Sequence, residues 1–130
     1  MKLTFRWYGE KDSIPLRYVS QIPNISGVVT AVYDVPVGGV WTDEQLEKLQ
    51  RQCAEHKLNM EVIESIPVHE DIKMGKGKRD EYIDNYCKNI EVVARHGVRC
   101  ICYNFMPVFD WLRTDMYHKN EDGSTSLSYS

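Results

Sequence analysis

Long apolar runs, long basic runs and the short signatures of several familiar sites are all missing from this sequence. No apolar stretch approaches the roughly 20 residues that a membrane-crossing helix needs. The N-terminus, Met1-Lys-Leu-Thr-Phe-Arg-Trp, places Arg6 where a signal peptide requires an apolar core, which argues against export. The longest basic cluster, Lys76-Gly-Lys-Arg79, is short and adjoins acids. With a formal net charge of -3, this argues against a phosphate-backbone partner. Nucleic acid and membrane are therefore not expected as partners.

Site signatures are just as scarce. The turn after the first β-like run, Tyr8-Gly-Glu-Lys-Asp12, is not the glycine fingerprint of a dinucleotide fold. Gly75-Lys-Gly-Lys78 is not a phosphate loop, because no strand directly precedes it in register. His69-Glu70-Asp71 lacks the HExxH spacing, and a solvated loop is the plainer explanation of it. The four cysteines, Cys53, Cys87, Cys100 and Cys102, lie in otherwise apolar segments and read as reduced thiols of a cytoplasmic protein. Cys100-Ile-Cys102 has the wrong spacing for a zinc knuckle, so both are expected to be small core fillers. His56 and His96 fall at helix ends, and His118 stands in a charged loop.

What is present is an alternation of strand and helix patterns over 130 residues, a length suited to one domain. Residues 3–8 alternate, with Leu3, Phe5 and Trp7 on one face and Thr4, Arg6 and Tyr8 on the other. A short helix with Leu16, Val19 and Ile22 on its apolar side follows, capped by Asp12 or Ser13. Gly27–Tyr33 is an apolar, β-branched strand of the kind covered on both faces. Thr42 with Gln45 forms a capping box, and Leu46, Leu49 and Cys53 make the stripe of the second helix. Leu58–Ser65 is the third strand, and 66–71 a loop. The third helix spans Arg79–His96, with Tyr82, Ile83, Tyr86, Ile90, Val93 and Ala94 on its buried face and Gly97 after it. Val98–Phe105 is the fourth strand. The Ser-rich end, 124–130, reads as disordered.

The order β-α-β-α-β-α-β implies parallel strands with helical crossovers. An open doubly wound sheet and the first half of a TIM (β/α)₈ barrel both fit. Polar groups collect at strand C-terminal ends. Arg6 and Tyr8 share a face, as do Val62 and Glu64, and Cys100, Cys102 and Asn104. Val28, Thr30 and Val32 are assigned to the same face, with Asp34 just beyond. This favours the half-barrel, whose site would lie at that end. A complete barrel takes about 250 residues, so the architecture is expected to be unfinished at Ser130.

The candidate site follows from this. Arg6 needs an anion if it faces inward. It can serve a substrate carboxylate or pair with Glu64, and the two roles can coexist. Tyr8 and Glu64 are candidate catalytic groups. Asn104 sits at the matching place on the fourth strand. Asp34 is either a site residue or ordinary turn chemistry before Val35-Pro36. In the loop from Cys102 to Asp115, Phe109, Asp110, Trp111 and Arg113 are a substrate wall or a subunit contact. These residues suit a small polyhydroxy acid but form no metal site.

Four segments carry a resemblance: Phe5-Arg-Trp-Tyr-Gly9; Tyr33-Asp-Val-Pro-Val-Gly38 with Val40-Trp41; Val62-Ile-Glu-Ser-Ile-Pro-Val-His-Glu-Asp-Ile-Lys73; and Cys102 to Asp115. Together they resemble the mannonate dehydratase family, and Asp122-Gly-Ser124 is similar to the family's continuation. The resemblance implies a xylose-isomerase-like barrel that dehydrates D-mannonate to 2-dehydro-3-deoxy-D-gluconate in hexuronate (glucuronate) catabolism. It implies Mn²⁺ or Fe²⁺, held by His, Cys, His and Asp ligands from strands beyond residue 130. It also implies that residues 1–130 are the N-terminal part of the enzyme, inactive alone. Arg6, Tyr8, Asp34, Glu64, His69, Asn104 and Trp111 are then expected to bind the sugar acid. Two alternatives stand beside it: a related barrel sugar isomerase or epimerase, and a non-catalytic half-barrel that self-associates, as a homo-oligomer or through exposed strand edges.

Overall fold

The computed structural model describes residues 1–108 and 112–130. Four parallel strands form one sheet in the order β1-β2-β3-β4: β1 (Leu3–Arg6), β2 (Ile25–Thr30), β3 (Asn59–Glu64) and β4 (Ile101–Cys102). The connections are helical. Leu16–Val19 is α1, Asp43–Glu55 is α2, Glu70–Met74 is α3 and Arg79–Arg95 is α4. A separate antiparallel hairpin, β5 (Asp115–Lys119) with β6 (Thr125–Ser128), follows. The chain is thus an α/β protein built on a parallel sheet.

α1, α2 and α4 lie on one face of that sheet. Leu16 and Val19 of α1, Cys53 of α2 and Val28 of β2 share a core cluster with Trp7 and Leu58. Leu46 of α2, Val92 and Val93 of α4, and Met60 and Ile63 of β3 share another. Leu49 packs against both clusters and joins them. The expected stripe of α2 is therefore the one used, and its capping box is intact: Gln45 N–H donates to Thr42 Oγ1, and Thr42 N–H to Gln45 Oε1.

Two register slips set which side chains meet the helices. Pairing of β1 with β2 skips Ser26, and pairing of β2 with β3 skips Glu61. Ser26 Oγ donates to Glu61 Oε1 at 2.6 Å, so the two bulged residues are tied to each other. A bulge resets the alternation of faces. Phe5, Val28 and Met60 fall in register on the helix side; Arg6, Val29 and Val62 fall in register on the open side. This corrects the sequence reading of β2. Val28 and Thr30 are wholly buried, and Thr30 pairs with Ile63 on the helix side. A strand of Val and Thr carries no polar alternation from which its faces can be told.

Gly27 follows the first slip, directly after Ser26, and pairs with Asn59 of β3. A Cβ there would run into the backbone of Asn59 on β3, including its carbonyl oxygen. Backbone cannot yield as a flexible side chain does. Gly27→Ala is expected to cost about 1–3 kcal/mol, read as a lower denaturation midpoint. An unchanged midpoint would mean that β2 and β3 are not this closely paired.

Several boundaries differ from expectation. The segment at 70–74 is a helix, with His69 as its N-cap and Gly75, at φ 65°, closing it. The only sequence signals were two acids in the first turn and a glycine after the last. Asp12 does not cap α1, whose N-cap is Pro15 without a side-chain bond. Asp12 instead accepts from Tyr8 N–H at 2.7 Å and Ile14 N–H at 2.9 Å, closing the turn at Gly9. On α4 the buried residues are Asn89, Val92 and Val93, while Ile83, Ile90 and Ala94 are exposed. The helix turns its asparagines inward because they hold the loop before α2. Asn89 Oδ1 accepts from Trp41 N–H at 2.7 Å and its Nδ2 donates to Gly39 O at 2.9 Å, while Asn85 Nδ2 donates to Gly38 O at 3.0 Å. Cys100 is exposed and Cys102 half-buried, so neither is a core filler within this chain. The Ser-rich end is ordered as β6, and Thr114 N–H donates to Ser128 O at 3.0 Å.

Candidate functional site

Two groups of side chains gather where the parallel strands end. The first lies on the open face. Arg6, the last residue of β1, reaches across β2 to Glu64, the last residue of β3, with Nη1 to Oε2 at 2.9 Å. The Arg6 and Glu64 side chains are 29% and 50% exposed, so the pair is open to solvent. An ion pair this wet contributes little stability, about 0–1 kcal/mol. The Arg6 guanidinium also stands 4.8 Å from the centre of the Tyr8 ring. Its Nε is buried and has no hydrogen-bond partner among the described residues.

Tyr33 completes this group, and sequence reasoning missed it as a site residue. Its ring lies 6.2 Å from that of Tyr8, and its hydroxyl donates to Trp7 O at 3.3 Å. Burial raises the Tyr33 phenol above its usual range, partly offset by the Arg6 charge. Burial and the neighbouring Cys100 raise the Cys102 thiol, which keeps it protonated at neutral pH. The signal for Tyr33 was available: it follows β2 as Tyr8 follows β1. Asp34, next in sequence, accepts from Gln45 Nε2 at 3.3 Å. It lines a groove of about 230 Å³ beside α2, shared with Tyr8. The structure thus brings Arg6, Tyr8, Tyr33 and Glu64 together and turns Asp34 toward α2.

The second group surrounds a cavity of about 310 Å³ lined by Ser65, His69, Glu70, Lys73 and Asn104, among others. Ser65 directly follows Glu64, which makes the two groups neighbours along β3. His69 is fixed on two sides. Its ring stacks on Tyr82 at 3.8 Å between centres, and Nδ1 accepts from Asp71 N–H at 3.0 Å. With Nδ1 committed as an acceptor, the neutral ring carries its proton on Nε2. This hydrogen bond governs, rather than the 4.0 Å approach of Nδ1 to Asp71 Oδ2. The expectation of a merely solvated loop is therefore replaced by a stacked histidine that caps α3 and lines a cavity together with Asn104. Lys73 lines it at 5% side-chain exposure, on a helix that the loop expected over 66–71 does not anticipate. Among the described residues no three His, Cys, Asp or Glu converge as metal ligands would. Phe109, Asp110 and Trp111 lie outside the described residues.

An anion-matching guanidinium, phenol hydroxyls, a carboxylate, an amide and an oriented imidazole can together hold a small acid rich in hydroxyls. Known proteins carry the same segment. The family model described as D-mannonate dehydratase (UxuA) matches residues 1–130. Mannonate dehydratase of Endomicrobium trichonymphae is 53% identical over 130 residues, covering 99% of this chain and 36% of the relative. That of Thermotoga maritima is 54% identical over 130 residues, with the same coverages of 99% and 36%. The crystal structure of mannonate dehydratase from Streptococcus suis serotype2 superposes with a TM-score of 0.92 at 53% identity, covering 99% of this chain and 37% of that one. The chain thus spans about a third of the length of these relatives. A family-model match over residues 1–130, with a relative and a solved structure each covering 99% of the chain at 53% identity, places it in the D-mannonate dehydratase family.

Proposed function

We propose that this chain is the N-terminal third of a hydro-lyase that removes water from D-mannonate to give 2-dehydro-3-deoxy-D-gluconate, a cytoplasmic step of hexuronate breakdown. The observation that carries this is the coincidence of the family match with a polar site at the strand ends. The placing of α1, α2 and α4 on one face and the sequential strand order support the first half of a (β/α)₈ barrel, since a doubly wound sheet would carry helices on both faces.

Within that reaction this segment binds and orients. A proton α to a carboxylate is a poor acid; the Mn²⁺ or Fe²⁺ expected in the family would supply Lewis-acid charge stabilisation. Among the described residues no three His, Cys, Asp or Glu converge as a ligand set; the family resemblance assigns the metal ligands to strands beyond residue 130. Arg6 matches the substrate carboxylate and balances its charge beside Glu64. Tyr8 donates to a hydroxyl, and Glu64 accepts from one. The His69 Nε2–H and the Asn104 amide recognise the far end of the sugar acid.

The test is turnover. This segment is joined to the remaining two thirds of the Thermotoga maritima relative and assayed with D-mannonate and Mn²⁺. Release of 2-dehydro-3-deoxy-gluconate is expected. Turnover of a ketose or another sugar acid, and none of mannonate, would move the chain to a neighbouring isomerase or epimerase.

A second reading, of the chain by itself, rests on its edges. β1 and β4 each have one neighbour in the sheet, and an apolar groove of about 410 Å³ runs between α4 and β4, lined by Ile83, Ile90, Ile101, Tyr103 and Phe105, among others. Unpaired edges and an exposed apolar patch favour association. The 130-residue chain is expected to sediment as a dimer or larger species at micromolar concentration. A cooperatively unfolding monomer would exclude this.

A further inference from the structure

The loop after β4 is held in an unusual conformation by two residues that the site reading does not use. Val108 has a φ of 66°, in the left-handed region. A β-branched side chain rarely occurs there and costs energy to hold. Its N–H donates to Glu70 Oε2 at 3.1 Å, from a residue 38 positions away. Lys73, one turn further along α3, donates from Nζ to Glu70 Oε1 at 2.8 Å and to Met106 O at 3.2 Å. The Lys73 side chain is 5% exposed, so its ammonium is placed rather than waving in solvent. Lys73 and Val108 thereby engage separate oxygens of one carboxylate, and Lys73 grips the same loop two residues before Val108. Asn104 lies in this loop, and it shares the cavity with His69, Glu70 and Lys73.

We propose that Glu70 and Lys73 are positioning residues: they clamp the 103–108 loop so that Asn104 meets the sugar acid in the cavity it shares with His69. A short helix that supplied only packing would have no need of a buried ammonium tied to a distant carbonyl. A strained residue persists only where its surroundings over-determine it, and Glu70 is what holds Val108. The direct effect is on substrate affinity, because the clamped residue binds substrate. The clamp rests on the reading given under Proposed function for the role of Asn104 and for the identity of that substrate.

Amide exchange and kinetics together test it. In the 130-residue chain, Lys73→Met and Glu70→Ala are each expected to speed exchange of the Val108 amide about tenfold or more, with the Leu46 amide of the core unchanged. In the enzyme completed with the Thermotoga maritima remainder, the same variants are expected to raise KM for D-mannonate about tenfold, with kcat changed much less. Lys73→Arg keeps a charged donor and should recover most of both effects. Because Glu70 is half-exposed, Glu70→Ala remains informative should Lys73→Met fail to fold. Unchanged Val108 exchange in Glu70→Ala would overturn the clamp. Faster exchange with unchanged KM would overturn its role in positioning Asn104. Should the unsubstituted enzyme leave mannonate untouched, the substrate reading falls, and Val108 exchange alone decides the clamp.

Discussion

Asn89→Ala is expected to destabilise the chain by about 2–4 kcal/mol. Asn89 is 3% exposed and lies on the inner face of α4. Its amide makes two bonds to the loop that precedes α2, accepting from Trp41 N–H and donating to Gly39 O. Truncation leaves a buried N–H and a carbonyl unpaired, and each orphan costs about 1–3 kcal/mol. It also opens space beside Trp41, itself 3% exposed. A domain of this size has only about 5–15 kcal/mol in total. Chemical denaturation measures the loss. Asn85→Ala is the internal comparison: one bond, to Gly38 O, is lost from a half-buried position, and about 1 kcal/mol is expected. Equal effects of the two substitutions would show that Asn89 does not pin the loop as described.

Arg6→Lys carries the largest effect expected on activity. In the completed enzyme, kcat/KM for D-mannonate should fall roughly ten- to hundredfold, equivalent to about 1.5–3 kcal/mol. The charge stays, but the planar fork that can hold a carboxylate and Glu64 at once is lost. Stability should hardly move, because the pair with Glu64 is half-exposed and worth about 0–1 kcal/mol. The two roles of Arg6 thus separate cleanly. A lowered melting temperature with unchanged kinetics would assign Arg6 to Glu64 alone.

The sequence exposed some of this better than the rest, for physical reasons. The face of β1 was legible because Leu3, Phe5 and Trp7 alternate with Thr4, Arg6 and Tyr8, and the register keeps that division. The α2 capping box was legible because Thr42 and Gln45 satisfy each other's backbone locally. The faces of β2 were not, since Val28, Val29 and Thr30 look alike and the bulges that orient them depend on neighbouring strands. On α4 the buried line passes through Asn85 and Asn89, polar residues that a hydrophobic stripe leaves out; their partners lie in a loop far off in sequence. Arg6 with Glu64 was anticipated from strand ends alone, and the 2.9 Å contact is present. Lys73 was hidden because α3 is a short helix capped by a histidine, outside the usual N-cap residues.

The central claim is that the strand ends of this segment hold the acid. A crystal structure of the completed enzyme with D-mannonate tests it most directly. The expected result is the substrate carboxylate within hydrogen-bond distance of Arg6, with hydroxyls within reach of Tyr8, His69 Nε2 and the Asn104 amide, about 2.7–3.2 Å. A substrate bound in the barrel with none of these four residues in contact would contradict it.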